Sequence, residues 1–398
     1  MPRLVSDRSF RGVSVGATLK RLSAVAFLAL GLVACGERGR AQTDERVQQM
    51  ALELAPEVER AVGLPFKSPP VVALRSPDQV RAYMMVKLDD EMPPRRLQGV
   101  TLAYRLFGLL PDTLDLRSLL LSLYTEQVVG FYDPDSLTLY VVEGADPLVL
   151  KMTLAHELVH ALQGQYMALD TLLESTREND RRVAAQAVLE GQATLGSLLA
   201  LMPEHDLDAI PDFSGTYRQA LKDQHSAMPV FSSAPLIIQE SIVFPYLEGA
   251  NFIRWFRNAH GDTVPFGERM PQSTEQILHP DRYRERDDPV SLELAARRPM
   301  VYSDGLGEFE IRVLLTVLTG SESTARAGAL AWAGDRYAVY PAANGEFALV
   351  WWSAWDHARA ADRFATLLKR LWPARKNGRR LVVEREPVGG RPGVRLPD

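Results

Sequence analysis

Cysteine is almost absent from this chain of 398 residues, and Cys35 is the one example. A single cysteine excludes an internal disulfide, and it excludes zinc modules that use several cysteines as ligands. Any metal site must therefore use histidine, aspartate or glutamate. The chain also lacks a glycine-rich phosphate loop and an internal repeat.

An excess of positive charge is lacking as well, because 45 Lys and Arg residues face 50 Asp and Glu residues. A nucleic-acid-binding protein normally has a basic face, so we predict no nucleic-acid partner. The chain is too apolar for bulk disorder, at 46% hydrophobic residues and a net charge of −5. This length and composition suit one large or two modest globular domains.

An apolar run near the N-terminus, residues 22–34, predicts where the protein resides. The run follows five basic residues, and it is too short to span a bilayer comfortably but typical of a signal-peptide core. The end of the run and the residue after it read LVAC, residues 32–35. This resembles the bacterial lipobox, whose cysteine becomes lipid-modified. We therefore expect a lipoprotein signal peptide over 1–34 and lipidation of Cys35. The alternatives are an ordinary cleaved signal and a short buried helix.

This N-terminal pattern predicts a protein of the bacterial cell envelope, anchored to a membrane by its lipid on the periplasmic or outer-surface side. Polar residues over 35–44 read as a tether. We place a main domain at 45–300 and a small α+β domain at 301–398.

Hydrophobic periodicity predicts the elements of both domains. A β-hairpin is expected at 127–132 and 137–142, followed by helices over 147–167 and 179–202. Another helical segment covers 235–260, where Pro245 should bend or divide it. In the C-terminal domain we expect helices, two strands joined around Asn344 and Gly345, and a last strand within 379–386.

The first of these helices carries His156, Glu157 and His160 in the order HExxH. Residues i and i+4 of a helix share a face, so both imidazoles can bind one ion. A catalytic zinc site needs three protein ligands and a water, and zinc lowers the pKa of that water. Glu157 can then take the proton as general base. The alternative is a polar helix face beside a core.

A third ligand is required, and Tyr166 stands where the HExxHxxGxxH arrangement needs histidine. Glu190 is a lone carboxylate in the apolar stretch AVLEGQAT of the second helix, which is costly unless something pairs with it. Gly191 and Ala193 are small enough for two helices to approach closely. The alternative pairs Glu190 with Arg181 or Arg182 on a solvated face.

His156-Glu157-x-x-His160 with a glutamate on a following helix resembles the gluzincin zinc metallopeptidases. A wider set of segments resembles a little-characterised family of bacterial secreted or lipid-anchored proteins that carry the motif. Those segments are GFYDP, HELVHALQGQ, LEGQAT, FPYLEGANFI, STEQILHP, GEFEIR and GDRYAVY. The resemblance implies one Zn²⁺ held by His156, His160 and Glu190, with Glu157 as general base.

The resemblance also implies an α+β, mainly helical protein with a zincin-like core. Such a core combines a small sheet with an edge hairpin, a metal-binding helix and a glutamate-bearing helix. The strand at 127–132 would bind an extended peptide by main-chain hydrogen bonds, or it is a plain structural hairpin. Tyr246 and His279 are candidate stabilisers of the oxyanion, although His279 could equally be a structural histidine.

The function expected from these features is zinc-dependent cleavage of peptide or protein substrates. One alternative is a zinc-binding scaffold or chaperone-like lipoprotein without turnover, although such a site has no need of Glu157. Another is a zinc amidase that acts on cell-wall peptides.

Overall fold

The computed structural model describes residues 44–169, 178–205, 207, 213–261, 263–294, 299–342, 345–371, 384–388 and 391–396. The protein is an α+β protein with mostly helical content. The predicted signal peptide, Cys35 and nearly all of the predicted tether lie outside the described residues. Among the described helices, none is both long and apolar enough to cross a membrane.

The N-terminal half alternates helices with one small sheet. Its elements are α1 (Asp44–Val62), β1 (Val71–Arg75), α2 (Pro77–Glu91), α3 (Pro94–Phe107), α4 (Leu116–Gln127), β2 (Gly130–Asp133), β3 (Thr138–Val142) and α5 (Pro147–Tyr166). Helices then follow: α6 (Asn179–Leu201), α7 (Phe213–Ser226), α8 (Pro229–Ser233), α9 (Leu236–His260), α10 (Thr274–Leu278) and α11 (Pro280–Glu285), with a 3₁₀ turn at Gly267–Arg269 before α10.

The C-terminal part contains β4 (Tyr302–Asp304), α12 (Gly307–Thr319), α13 (Glu322–Ala329), β5 (Trp332–Pro341), β6 (Phe347–Trp355), α14 (Ala358–Leu371), β7 (Glu384–Val388) and β8 (Arg391–Leu396). Its strands form an antiparallel sheet in the order β4-β5-β6-β8-β7. Helix α14 packs on this sheet, with the Trp355 and Phe364 ring centroids 4.5 Å apart.

The small N-terminal sheet has the order β1-β3-β2, with β1 parallel and β2 antiparallel to β3. Strand β2 is therefore an edge strand, as expected of the hairpin. The predicted start at 127 is wrong, because α4 continues through Gln127 and the Val128 N–H still bonds to the Tyr124 carbonyl. Helical hydrogen bonding prevails over β propensity at Val128, whereas the Val129 carbonyl already accepts a hydrogen bond from the Val142 N–H of β3.

Helix α9 runs through Pro245 without interruption. Pro245 therefore does not divide the segment, and the predicted bend stays a prediction. Proline removes one helical hydrogen bond but leaves the rest of the ladder intact. Phe244, Tyr246 and Leu247 beside it are buried, and their packing against neighbouring helices outweighs that loss. The predicted turn residue Asn344 and the start of the predicted last strand, 379–383, lie outside the described residues.

Most of the buried apolar side chains belong to two large clusters. One joins α1, the small sheet, α5 and α6, and includes Leu139, Leu154 and Leu158. The larger one contains residues from both sides of position 300, and Phe107 of α3 meets Tyr337 and Trp351 edge-on at 5.2 Å. The domain boundary near residue 300 stays a prediction.

Candidate metal centre

Helix α5 places His156 and His160 deep inside the protein. The helix starts at a clear cap, where the Asp146 side chain accepts hydrogen bonds from the N–H groups of Leu148 and Val149. Every residue over 153–163 is buried. Burial on all sides makes α5 a central helix, so its polar side chains must be satisfied internally.

Helix α6 brings the third polar side chain to the same point. Glu190 is fully buried, and its Oε2 lies 3.3 Å from His156 Nε2 and 3.5 Å from His160 Nε2. The two Nε2 atoms are 3.1 Å apart. The alternative in which Glu190 pairs with an arginine on a solvated face does not hold, because its contacts are with the imidazoles.

These three separations fit a shared metal ion. Zinc binds nitrogen and oxygen ligands at about 2.0–2.2 Å, which puts ligand atoms about 3.4 Å apart in a tetrahedron. The observed values of 3.1, 3.3 and 3.5 Å lie around that figure. Among the described residues this is the one group of three or more acidic, histidine or cysteine side chains that could hold a metal ion.

Burial and the neighbouring charges shift the pKa values of these three side chains. Burial lowers the pKa of His156 to about 4. Burial opposes protonation of His160 too, but the charge and hydrogen bond of Glu190, the charge of Glu157 and the hydrogen bond to Gln163 together raise the His160 pKa to about 9. Burial would raise the pKa of Glu190, yet the charge of His160 and the imidazole contacts lower it. A metal ion can replace the proton of His160, since ligands bind in their deprotonated form.

Glu157 lies on the same helix with one oxygen fixed. Its Oε2 accepts a 2.8 Å hydrogen bond from the Tyr132 N–H of β2, and its Oε1 has no hydrogen-bond partner among the described residues. Burial, with some help from the charge of Glu190, raises the pKa of Glu157 to about 8. One oxygen is thus oriented by the sheet and the other is free to bind a water or a proton.

Tyr246 of α9 lies beside the three donors. Its ring centroid is 5.9 Å from that of His156, and the side chain is buried. Burial raises its pKa well above the ordinary tyrosine value, and the charges of Glu190 and Glu157 add to the effect. The phenol therefore stays protonated and remains a hydrogen-bond donor.

His279 is held elsewhere. Its Nε2 lies 3.0 Å from Glu308 Oε1 and 2.9 Å from Arg312 Nη2, both on α12. The structure does not bring His279 into contact with the three donors, and its partners are those of a structural histidine.

Three residues at this site were not recognised in the sequence. Tyr217 of α7 packs against Tyr246, and burial followed by the charge of Glu190 raises its pKa. Gln163 and Gln192 hydrogen-bond to each other beside His160. The signal for Gln163 was its position three residues after His160, on the same helix face. Nothing local pointed to Tyr217.

Gly191 allows two helices to approach closely, as predicted. A Cβ at Gly191 would lie 2.1 Å from the Gly249 carbonyl carbon, so Gly191 allows α9, and not α5, to approach α6. Gly249 in turn faces Ala187, where a Cβ would lie 2.0 Å from the carbonyl oxygen. This contact brings the backbone of α9, and with it Tyr246, against the helix that carries Glu190.

Comparison with known proteins gives one match, to a family described as a domain of unknown function (DUF8575), over residues 297–394. That stretch lies in the C-terminal part and contains none of the metal-centre residues. No curated protein matches the chain, and no solved structure matches it.

Proposed function

We propose that the protein is a zinc-dependent peptidase. The observation that carries the proposal is the spacing of His156 Nε2, His160 Nε2 and Glu190 Oε2, at 3.1–3.5 Å from one another, beside the free oxygen of Glu157. Two nitrogens and one oxygen are the donor set that zinc accepts in catalytic sites, and three ligands leave a position open.

The proposed core is zincin-like. Its elements are the edge strand β2, the metal-binding helix α5 and the glutamate-bearing helix α6. The hydrogen bond from Tyr132 to Glu157 links the first of these to the second. In this arrangement the edge strand runs beside the site. All four residues of β2 are buried, so pairing of an extended peptide with this edge requires the strand to become exposed.

The chemistry divides between the metal and the chain. Bound zinc would act as a Lewis acid and lower the pKa of water toward about 7. Glu157 takes the proton from the attacking water through Oε1 and passes it to the nitrogen of the leaving amine, while Oε2 stays bonded to Tyr132. Tyr246 donates its hydroxyl to the oxygen on which negative charge develops. The balance is addition of one water across the C–N bond.

Complete burial favours a second candidate. His156, Glu157 and Glu190 each have 0% exposure, which suits a closed, non-catalytic zinc site in a scaffold protein. A scaffold, however, has no need of a second buried carboxylate beside the three ligands, because burial of such a group costs free energy. A catalytic Glu157 explains that cost.

The place of action is proposed from the N-terminal residues alone. The apolar run at 22–34 and Cys35 suggest a lipid-anchored protein of the bacterial envelope. Peptide or protein substrates would then be met outside the cytoplasm.

The deciding experiment compares wild type with Glu157→Gln and Glu190→Gln. Zinc content is measured by elemental analysis, and hydrolysis is followed on a peptide library and, in parallel, on peptidoglycan. We expect wild type to bind one zinc ion and to cleave peptides. Glu157→Gln should keep the metal but lose about 10²–10⁴ in rate, since a glutamine can still accept from Tyr132 but cannot take the proton.

Glu190→Gln should lose zinc affinity by about 100-fold or more, beyond the 10–100-fold typical of a residue that only supports a ligand. Peptide cleavage by Glu157→Gln at the wild-type rate would contradict the mechanism. Zinc binding by wild type without any cleavage would favour the scaffold, and cleavage of peptidoglycan alone would favour the amidase.

A further inference from the structure

A chain of hydrogen bonds connects the two helices that carry the proposed ligands. His160 Nδ1 lies 2.8 Å from Gln163 Oε1. Gln163 Nε2 donates to the Leu189 carbonyl at 3.0 Å and to Gln192 Oε1 at 2.8 Å. Leu189 and Gln192 flank Glu190 on α6, and both glutamines are buried. These hydrogen bonds therefore connect the proposed ligand His160 with the residues next to the proposed ligand Glu190.

The donor and acceptor roles along this chain of hydrogen bonds follow from the chemistry of its groups. A backbone carbonyl only accepts hydrogen bonds, so the group of Gln163 that faces Leu189 must be its NH₂. The Gln163 oxygen must then face His160, and His160 must carry its proton on Nδ1. That tautomer leaves Nε2 without a proton in the neutral ring, on the side where His156 and Glu190 lie.

We propose that Gln163 is a positioning residue for the metal centre, which sets the tautomer and orientation of His160 and couples it to the α6 segment that carries Glu190. The inference rests on the proposed metal site. Histidine ligands usually donate their second N–H to a carboxylate, a carbonyl or water, and here a side-chain amide takes that place.

An amide suits this position better than a carboxylate for two reasons. It accepts from His160 and donates to α6 at the same time, whereas an ionised carboxylate only accepts. A carboxylate would also place a further negative charge near Glu190 in a buried region, and unpaired buried charge is costly. Only a side chain with both an acceptor and a donor can link the two helices.

The test uses isosteric Gln→Met substitutions in the full chain: Gln163→Met, Gln192→Met and the double variant. The matched control is Gln165→Met on the same helix. Gln165 also makes hydrogen bonds, to Lys67 and Ser68, but it does not contact the proposed ligands. Zinc affinity is measured by competition with a chelator, and the cobalt-loaded proteins are compared by their visible absorption spectra.

We expect Gln163→Met to weaken zinc binding by about 10–100-fold and to change the cobalt spectrum at full loading. Gln192→Met should weaken zinc binding less, because Gln163 would still donate its hydrogen bond to the Leu189 carbonyl. The loss in the double variant should be smaller than the sum of the two, as for residues in one network. Gln165→Met should bind zinc like wild type, even if it melts at a lower temperature.

Wild-type zinc affinity and an unchanged cobalt spectrum in Gln163→Met would overturn the inference and leave the peptidase proposal standing. Effects as expected on the metal, in a wild-type protein that cleaves nothing, would keep the inference and reject the peptidase. A wild-type protein that binds no zinc would overturn both.

Discussion

The backbone N–H of Tyr132 donates a 2.8 Å hydrogen bond to the carboxylate of Glu157. This contact ties the edge strand β2 to the proposed catalytic residue on α5. Gly164 of the same helix leaves room for the Tyr132 ring, since a Cβ there would lie 2.8 Å from it. The edge strand therefore orients the proposed general base.

Removal of the Tyr246 hydroxyl tests its role as an oxyanion donor. Tyr246→Phe should lower kcat by about 10²–10³, the loss typical for one such donor, with little change in KM or zinc content. Tyr83→Phe is the control, because its hydroxyl bonds to Asp133 away from the donor group. Steady-state kinetics on a cleaved peptide give the answer, and a Tyr246→Phe enzyme with wild-type kcat would remove Tyr246 from the mechanism.

Gly191→Ala should force α6 and α9 apart. The added Cβ would meet the Gly249 backbone at 2.1 Å, so we expect a loss of about 1–3 kcal/mol or more in the free energy of unfolding. Gly196→Ala on the same helix is the matched control, because its Cβ meets side-chain methyls of Val159 and Val62 at 3.2 Å.

Alanine is favoured over glycine in a helix by about 1 kcal/mol, so Gly196→Ala should stay near wild-type stability. Urea denaturation of both variants measures the difference. If Gly191→Ala and Gly196→Ala were equally stable, α6 and α9 could not be packed as closely as the structure shows.

Glu310 should make the protein less stable as the pH rises. Burial raises its pKa from the ordinary 4.5 to about 8, against the opposing hydrogen bonds from Tyr104 and Asn179. The folded state then binds more protons than the unfolded state between these values. Stability contributed by the protonated form is complete below pH 4.5 and is lost as the pH rises to about 8.

Glu310→Gln removes this penalty, since glutamine stays neutral and its oxygen can still accept from Tyr104. Its stability relative to wild type should therefore increase between pH 4.5 and 8, by about 1.4 kcal/mol for each unit of pH. Glu53→Gln, at an exposed position of α1, serves as control. A relative stability of Glu310→Gln that does not change with pH would contradict the expected protonation.

Cys35→Ala tests the proposed anchor. A diacyl chain buries many methylene groups, each worth about 0.8 kcal/mol, so its loss should release the protein from the membrane fraction or leave it unprocessed. Fractionation and mass spectrometry of the N-terminal peptide provide the measurement. Continued membrane attachment without a lipid mass on that peptide would count against lipidation of Cys35.

Much of the candidate metal centre could be predicted from the sequence, because two of its three side chains lie four residues apart on one helix. His156 and His160 share a face through the period of one helix, whatever that helix packs against. Glu190 was recognisable because a lone carboxylate in an apolar helix needs a partner. The helices predicted over 147–167 and 179–202 likewise followed from hydrophobic periodicity.

Tertiary structure alone decided which distant residues join the group. Tyr246 and His279 were both candidates by residue type, and only the packing of α9 on α6 and the contact of His279 with Glu308 separated them. Gly191 was recognised as a contact residue, but its partner helix depended on Gly249, far along the chain. Covalent geometry fixes which residues of one helix share a face, whereas contacts between helices depend on how all their side chains fit together.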